Sequence, residues 1–306
     1  MILGDVLTAA RRVATGPSHG ERPASGTSAP SRDLAAEMRA GLGRGEFFLV
    51  FQPQIDLLSQ QITGVEALVR WQHPRNRILL PSQFIPVAEQ SGLIVPLGNL
   101  MLRLACLEAS RWRSGPLAGV KISVSGYPLQ VRHEGFIQHI ASTLHQTALP
   151  TERLVIQLPE GAIAHPGHAN FSVLKRLRQR GIKLAITGFG TGFSCLAYLP
   201  QVPVSSLKID SSFLSDIPGN TRNEAVTRTI VELGRTLKLR LVAEGVETEA
   251  QADFLRAIGC DAAQGPLYAP PQTASNLSEW VQAWPRGKGA VPRAVQPGSQ
   301  QPRPGA

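Results

Sequence analysis

The sequence predicts an α/β fold in the form of a closed (β/α)8 barrel of the TIM type. From about residue 118 onward, strand-like and helix-like segments alternate with mostly short connections. The strand-like segments are β-branched and apolar on both faces, which is typical of a parallel sheet covered by helices. About eight such strands fall within about 240 residues, which suits a closed barrel. A doubly wound open sheet is the alternative.

Composition and charge favour a globular protein with an anionic partner. The chain has 306 residues, of which 42% are hydrophobic, and a formal net charge of +9. A positive charge favours nucleotides, nucleic acids or membrane surfaces as partners. Part of the excess belongs to the tail Arg286–Ala306, which has basic residues and no acid. No recognition helix or aromatic–basic interleaving accompanies the charge, so we expect no nucleic acid and no membrane as partners.

The location of the protein is predicted from three sequence features. No apolar run approaches the ~20 residues that a membrane-spanning helix needs. Asp5 precedes a basic pair that follows the apolar residues at the N-terminus, an order opposite to that of a secretory signal. The cysteines Cys106, Cys195 and Cys260 are far apart, so we expect neither disulfides nor zinc. These features together predict a cytoplasmic protein.

Three segments are expected along the chain. Residues 1–33 are rich in Gly, Pro and Ser in their second half and are predicted to form a flexible leader. Asp33 is a suitable N-cap for a helix over Leu34–Leu42, which opens a barrel domain at residues 34–272. Residues 273–306 are expected to form one short helix followed by a disordered basic tail.

The periodicity of apolar residues places the elements inside the barrel domain. The first two strands are expected at Phe47–Ile55 and Ile62–Arg70, followed by a long loop over His73–Pro86. Later strands are expected at Gly119–Val124, Arg153–Pro159, Ile182–Thr187, Ser206–Ile209, Arg240–Ala243 and within Ala262–Tyr268. Helices are expected at Pro86–Gln90, Val95–Trp112, His133–Thr147, Ala169–Arg180, Arg222–Leu237, Glu249–Ile258 and Ser275–Trp284.

The stretch Val65–Trp71, V-E-A-L-V-R-W, contains the first candidate site residues. Strand alternation places Glu66, Leu68 and Arg70 on one face. A carboxylate and a guanidinium beside a leucine suit a pocket for a metal ion and a phosphate, although a surface salt bridge would explain the pair if it stood alone. Active sites of such barrels lie at the C-terminal ends of the strands. Polar or glycine residues occupy those ends at Gln52, Ser123, Gln157, Glu160, Thr187, Gly188, Lys208, Glu244, Glu247 and Gln264.

The chain resembles the EAL family, bacterial phosphodiesterases that hydrolyse cyclic diguanylate (c-di-GMP). The resemblance covers about residues 34–272 and rests on motifs that occur in the family's order: F-Q-P, E-A-L-V-R-W-Q-H-P, G-F-G-T-G-F-S, L-K-I-D, A-E-G-V-E-T and G-C-D-A-A-Q-G. It implies a barrel with one antiparallel strand near the start. It also implies a hydrolysis in which two Mg²⁺ or Mn²⁺ ions activate a water molecule for attack on a phosphodiester.

The resemblance also implies roles for individual residues. Glu66 stands at a metal-ligand position, Glu244 at that of the general base, and Lys208 at that of a lysine that holds the water and a phosphate. The remaining metal-ligand positions have changed: Ser123 replaces an Asn, Gln157 a Glu, and Thr187–Gly188 an adjacent pair of Asp. The residues expected to contact the nucleotide are retained, namely Gln52, Glu66, Leu68, Arg70, Lys208, Glu247 and Gln264.

These replacements predict a degenerate active site. Two divalent cations close together repel each other strongly unless carboxylates lie between them. We therefore expect no tightly bound cofactor, with Mg or Mn required if any activity remains. The predicted function is non-hydrolytic c-di-GMP signalling, either as a nucleotide receptor through Arg70 and Lys208 or as a protein-binding regulator. The alternatives are an active phosphodiesterase that produces the linear dinucleotide with a metal at Glu66 and Glu244, and a scaffold that binds no nucleotide.

A homodimer is also expected from the resemblance. In active relatives the G-F-G-T-G-F-S loop and the helix after K-I-D form a dimer contact coupled to the metal site. The corresponding segments Phe189–Ser194 and Arg222–Leu237 are intact in this chain. The sequence does not identify a protein partner of another kind.

Overall fold

A computed structural model describes residues 29–75, 77–163, 169–191 and 199–284 of the chain. These residues form a nine-stranded sheet that closes on itself through pairing of β1 (Phe47–Asp56) with β2 (Ile62–His73). Eight strands form the ring, and β3 (Arg77–Leu79) pairs with β2 outside it. The predicted (β/α)8 barrel is confirmed, and the open-sheet alternative is excluded by the closure.

The remaining strands follow the order of the chain around the ring. They are β4 (Lys121–Ser125), β5 (Leu154–Pro159), β6 (Lys183–Phe189), β7 (Ser206–Ile209), β8 (Arg240–Ala243) and β9 (Ala262–Ala263). The helices within the described ranges are α1 (Ala29–Arg44), α2 (Pro81–Gln90), α3 (Ile94–Ser110), α4 (Pro128–Arg132), α5 (Phe136–Thr147), α6 (Ala169–Gln179), α7 (Thr221–Thr236), α8 (Glu249–Ile258) and α9 (Ala274–Ala283). None of these helices is both long enough and apolar enough to cross a membrane.

The strand directions confirm the expected antiparallel strand near the start. β1 runs antiparallel to both of its neighbours, β2 and β9. The next pairs around the ring, from β2–β4 to β8–β9, are all parallel. Parallel strands bring their C-terminal ends to the same end of the barrel, where the sequence places most of its polar residues.

The prediction of a long loop over His73–Pro86 is wrong, since this segment contains a strand and the start of a helix. β2 continues to His73, β3 pairs with it in antiparallel register, and α2 begins at Pro81. The segment is ordered by burial, since Leu79 and Phe84 join the core beside Trp71. The Trp71 ring stacks on Phe47 with a centroid distance of 5.0 Å. Proline at the first helical position costs no hydrogen bond, which is why α2 can begin there.

Other boundaries differ by a few residues. α1 begins at Ala29, five residues before the expected start, because a proline such as Pro30 is tolerated in the first turn of a helix. The expected helix His133–Thr147 begins at Phe136, because His133 has an extended conformation with φ −67° and ψ 128°, and the short helix α4 that precedes it was not predicted. The expected C-terminal helix is confirmed as α9. Residues 1–28 of the leader, Cys195 and the tail 285–306 lie outside the described residues.

Strand alternation divides the apolar core from the barrel interior. Ala67, Val69 and Trp71 belong to the hydrophobic cluster between the ring and its helices. Glu66, Leu68 and Arg70 lie on the opposite face of β2 and are also buried. The same alternation along the other strands brings polar side chains together inside the barrel.

Gly265 permits a close approach that holds the end of the ring in place. The backbone of Val246 exchanges hydrogen bonds with the segment that contains Gly265, through Gln264 O (3.1 Å) and Leu267 N (3.0 Å). A Cβ atom at position 265 would overlap the backbone of Val246. Gly265 therefore allows the chain after β9 to pass directly against the loop after β8.

We expect Gly265→Ala to lower the free energy of unfolding by about 1–3 kcal/mol or more, as overpacking against rigid backbone does. The matched control is Gly43→Ala in α1, where a Cβ atom would meet nothing within 4 Å. That substitution should be neutral or stabilising by up to about 1 kcal/mol. Urea denaturation of both variants measures the difference, and equal midpoints would contradict the packing role of Gly265.

Candidate functional site

A buried lysine lies at the centre of the barrel's polar interior. Lys208, near the end of β7, is 1% exposed. Its Nζ atom lies 2.7 Å from Glu66 Oε2 on β2 and 2.5 Å from Glu244 Oε1 after β8. Both carboxylates are buried. The sequence-predicted residues Glu66, Lys208 and Glu244 therefore meet as one ion-paired cluster, although they are far apart in the chain.

Glutamine side chains complete the hydrogen bonding of this cluster. With the Gln157 amide oriented to satisfy its neighbours, its nitrogen donates to Glu66 Oε1 (2.8 Å) and its oxygen accepts from Lys208 Nζ (3.0 Å). Gln264 Nε2 donates to Glu66 Oε2 (2.5 Å), and Gln54 Nε2 donates to Gln264 Oε1 (2.8 Å). Both oxygens of Glu66 are thus engaged by protein donors.

The charges of the cluster shift the pKa values of its members. Burial alone would lower the pKa of Lys208, but Glu244 and Glu66 outweigh it and raise that pKa above its ordinary value. Burial raises the pKa of Glu244 to about 7; Lys208 opposes this shift, and the negative charges of Glu66 and Asp210 add to it. The lysine therefore stays charged, while Glu244 can change its protonation state near neutral pH.

Arg70 is buried on the same face of β2 as Glu66 but has no acidic partner. The side chain is 5% exposed, and its Nη1 atom donates to the backbone oxygen of Val69 (2.8 Å). No carboxylate of the described residues lies within ion-pair distance of the guanidinium. Burial lowers the pKa of Arg70, which still remains a cation at any physiological pH. A buried charge without a counter-charge is costly, so this position favours an anionic ligand.

The other residues predicted to contact the nucleotide differ in burial and in hydrogen bonding. Gln52 is buried and donates from Nε2 to the backbone oxygen of Ala269 (3.1 Å), so it is engaged by the protein. Leu68 is buried and lines a cavity of about 230 Å³ beside the cluster. Glu247 is exposed on the loop after β8 and takes no part in the buried cluster. Gln52 and Glu247 therefore do not join the network that Gln264 joins.

The cavity beside the cluster has a mostly apolar wall. It lies between the ends of β2, β4 and β5 and helix α2, with Ile85, Pro86, Met101 and Tyr127 in its lining. Gln157 and Thr187 belong to the same lining, which places the cavity against two of the positions where the family resemblance leads us to expect metal ligands. A flat heterocycle could occupy such a space beside the charged residues.

The expected metal-ligand positions provide few anionic groups. Ser123 and Gln157 are buried and neutral, Thr187 is half-buried, and Gly188 has no side chain. Gly188 has φ +64°, in the left-handed region that favours glycine. Within the described ranges, no group of three or more His, Cys, Asp or Glu is arranged to hold a metal ion. These residues do not fit a site for two closely spaced divalent cations, which requires bridging carboxylates.

Two buried polar residues near the cluster, Gln54 and Asp210, were not among the site residues predicted from the sequence. Gln54, on β1, donates a hydrogen bond to Gln264. It could have been predicted from the sequence, because it lies two residues after Gln52 and therefore on the same face of the strand. Asp210 is buried, accepts from Ser212 N through Oδ1 (2.9 Å), and leaves Oδ2 without a hydrogen-bond partner among the described residues. Glu160, noted at a strand end, accepts from Gly190 N (3.0 Å) and so ties β5 to the loop after β6.

The raised pKa of Glu244 predicts a pH-dependent stability. The folded pKa of about 7 lies above the ordinary value of 4.5, so the folded protein binds this proton more tightly than the unfolded chain does. The free energy of unfolding of the parent should therefore fall as the pH rises from 4.5 to about 7, and this contribution should not change at higher pH. Glu244→Gln should lack this slope, while Glu134→Gln, at an exposed site, should keep it. Urea unfolding between about pH 5 and about pH 8 measures this, and parallel curves for parent and Glu244→Gln would contradict it.

Comparisons with known proteins identify the family of this chain. The family model of the EAL domain matches residues 35–271. The Pseudomonas aeruginosa protein MucR, a bifunctional diguanylate cyclase/cyclic di-GMP phosphodiesterase, is 38% identical over 244 residues, which is 80% of this chain and 36% of MucR. An uncharacterized Mycobacterium tuberculosis protein is 41% identical over 241 residues, covering 76% of this chain and 77% of that protein.

The solved structures agree with the sequence comparison. The MucR phosphodiesterase, in complex with c-di-GMP, superposes with a TM-score of 0.76 at 38% identity and covers 80% of this chain and 99% of the other. This chain spans between 29% and 36% of the length of the first three curated relatives. With most of its length matched by the family model and its barrel matched by a solved member, this chain belongs to the EAL domain family.

Proposed function

We propose that this EAL domain binds c-di-GMP without hydrolysing it and acts in signalling as a nucleotide receptor or as a regulator of a protein partner. The observation that carries the proposal is Arg70, a buried cation with no carboxylate partner among the described residues. It lies on the same strand face as Glu66, next to a cluster that is already neutralised internally. A phosphate group of the ligand would supply the missing counter-charge through charge-assisted hydrogen bonds.

Binding of c-di-GMP is supported by the cavity next to the cluster and by a solved relative. The cavity lined by Leu68, Ile85 and Tyr127 is mostly apolar, with Glu89 as its acidic member, and adjoins the charged residues, as a site for a nucleotide base requires. MucR, at 38% identity, has been solved as a phosphodiesterase in complex with c-di-GMP. Lys208 lies beside the site, but its positive charge is compensated by Glu66 and Glu244, so Arg70 is the cation available to a ligand.

The proposed absence of hydrolysis rests on the residues that stand at the family's metal-ligand positions. A two-metal hydrolysis needs ions about 3.5–4 Å apart, held by bridging carboxylates. Thr187 and Gly188 stand where the family has its adjacent Asp pair, and Gln157 stands where it has a Glu. Both oxygens of Glu66 already accept hydrogen bonds from Lys208, Gln157 and Gln264. Metal-free binding of the nucleotide is therefore the simpler use of this site.

An active phosphodiesterase is the second candidate. It is favoured by the cluster in which Lys208 Nζ lies 2.7 Å from Glu66 Oε2 and 2.5 Å from Glu244 Oε1. In that case Glu66 and Glu244 would hold a single Mg²⁺ or Mn²⁺ ion, which would supply a Lewis acid for water attack on the phosphodiester. The third candidate, a scaffold that binds no nucleotide, is distinguished from both by a failure to bind c-di-GMP.

We also propose that the domain forms a homodimer. The segment predicted to contact the second copy includes helix α7, Phe189 at the end of β6 and Gly190–Thr191 in the loop after it, whereas residues 192–194 lie outside the described ranges. Glu160 holds Gly190 of that loop through a hydrogen bond of 3.0 Å, which links the proposed dimer contact to the end of β5 near the site.

The binding proposal predicts a metal-independent affinity for c-di-GMP. Isothermal titration of the purified chain should give saturable heat in Mg²⁺ buffer and the same heat with a chelator. Arg70→Gln should weaken binding by at least about tenfold, because a hydrogen bond to a charged group contributes about 1.5–3 kcal/mol. The control is Arg103→Gln, at an exposed position in the middle of α3, which should bind as the parent does. Equal affinity of the two variants, or no heat from the parent, would exclude a receptor that uses Arg70.

If the changed metal-ligand positions are what prevents hydrolysis, restoring the family's residues there should restore phosphodiesterase activity. Ser123→Asn, Gln157→Glu, Thr187→Asp and Gly188→Asp together should give Mn²⁺-dependent conversion of c-di-GMP to the linear dinucleotide. Aspartate tolerates the left-handed conformation of position 188 better than most residues, so the variant should fold. Chromatography of the products measures the conversion, and Glu66→Gln in the restored protein is the control that should abolish it. Multiple turnovers by the unmodified chain would show instead that the site is an active phosphodiesterase.

A further inference from the structure

The opposite end of the barrel contains a second polar cavity. It has a volume of about 170 Å³, and its lining includes Lys121, Lys183, Ser206 and Arg240. These four residues are the first residues of β4, β6, β7 and β8, respectively. The N-terminal ends of parallel strands meet at one end of the ring, so the cavity opens away from the EAL site. Arg70 is not part of its lining.

The cavity has an excess of positive charge. Arg240 pairs with Asp56 Oδ2 (3.3 Å) and donates to Thr63 Oγ1 (2.9 Å). Lys121 and Lys183 have no carboxylate within ion-pair distance among the residues that the structure describes. The pKa of Lys121 is lowered to about 8, mainly by burial and also by the positive charges of Lys183 and Arg240 and a side-chain hydrogen bond with Lys183. Three cations therefore share one carboxylate, and two of them repel each other directly.

Unused hydrogen-bonding groups line the same space. Ser123 is 3% exposed and lines the cavity, yet its hydroxyl forms no hydrogen bond with any described residue. The Ser206 hydroxyl likewise has no partner within the described ranges. Small side chains at Ser123, Ala185 and Ser206 leave the room inside the ring that larger residues would fill. The buried hydroxyl of Ser123, the half-buried hydroxyl of Ser206 and the ammonium groups without a carboxylate partner are the kinds of donor that an anion requires.

We propose that this cavity binds a phosphate group, either as free inorganic phosphate or as the terminal group of a phosphate monoester. A tetrahedral dianion accepts hydrogen bonds from several directions at once, which matches ammonium groups on two strands and hydroxyls on others. Its charge balances that of Lys121 and Lys183. A nucleic acid cannot enter a space of about 170 Å³, so any larger molecule must extend from the mouth of the barrel. Lys208 and Gln157 form the inner wall, which separates this ligand from the EAL site.

The test is calorimetric titration of the full chain with inorganic phosphate at constant ionic strength in chloride buffer. Saturable binding is expected for the parent, with at least a tenfold loss in Lys121→Gln and in Lys183→Gln. The matched control is Lys175→Gln, on the exposed face of α6, which should retain the parent affinity. Arg70→Gln should also retain it, which distinguishes this cavity from the EAL site. A second arm with guanosine 5′-monophosphate tells whether an esterified phosphate is accepted in addition to the free ion.

Thermal melting provides a readout that does not depend on the ligand. In chloride alone, Lys121→Gln and Lys183→Gln should melt at or above the parent temperature, because each removes a repulsion between cations. Phosphate should raise the melting temperature of the parent and not of these variants. The proposal is overturned if phosphate gives no heat with the parent, or if Lys183→Gln binds phosphate as tightly as Lys175→Gln does.

Discussion

The ion pairs of Lys208 with Glu66 and Glu244 are the interaction on which the barrel interior depends. Burying a charge costs several kcal/mol, and removing one partner of such a pair costs about 3–5 kcal/mol. Here the lysine on β7 joins carboxylates on β2 and after β8, so the charges are compensated only when the ring is closed. Gln157 and Gln264 satisfy the remaining oxygens of Glu66. The cluster therefore forms only in the closed barrel.

The same cluster explains how the centre of the barrel is satisfied without carboxylates at positions 123, 157, 187 and 188. A site that loses carboxylates around two cations would otherwise leave polar groups unpaired at the centre of the barrel. In this chain, Gln157 provides both a donor to Glu66 and an acceptor for Lys208, which a carboxylate could not do. Gln157 is thus suited to an interior in which a buried lysine pairs with Glu66 and Glu244. Arg70 is the buried cation whose charge a bound anion would compensate.

The sequence predicted the barrel well because its strands are apolar on both faces and alternate with helices. Alternation alone placed Glu66 with Arg70, whereas the meeting of Glu66 with Lys208 and Gln157 depends on ring closure, and only the family resemblance indicated it. The loop over His73–Pro86 was wrong because its order comes from burial against Trp71, which local pattern does not contain. The basic cavity was missed because Lys121 and Lys183 are distant in sequence and become neighbours only through strand register.

We propose that protein side chains, and not divalent cations, compensate the charges of this EAL site. Titration of the purified chain with Mn²⁺, followed by electron paramagnetic resonance of the free ion, tests it most directly. The lysine-centred cluster predicts no saturable Mn²⁺ binding that depends on Glu66, so parent and Glu66→Gln should give the same titration. Stoichiometric binding of Mn²⁺ by the parent that disappears in Glu66→Gln would contradict the claim and would show that the cluster opens to admit a metal ion.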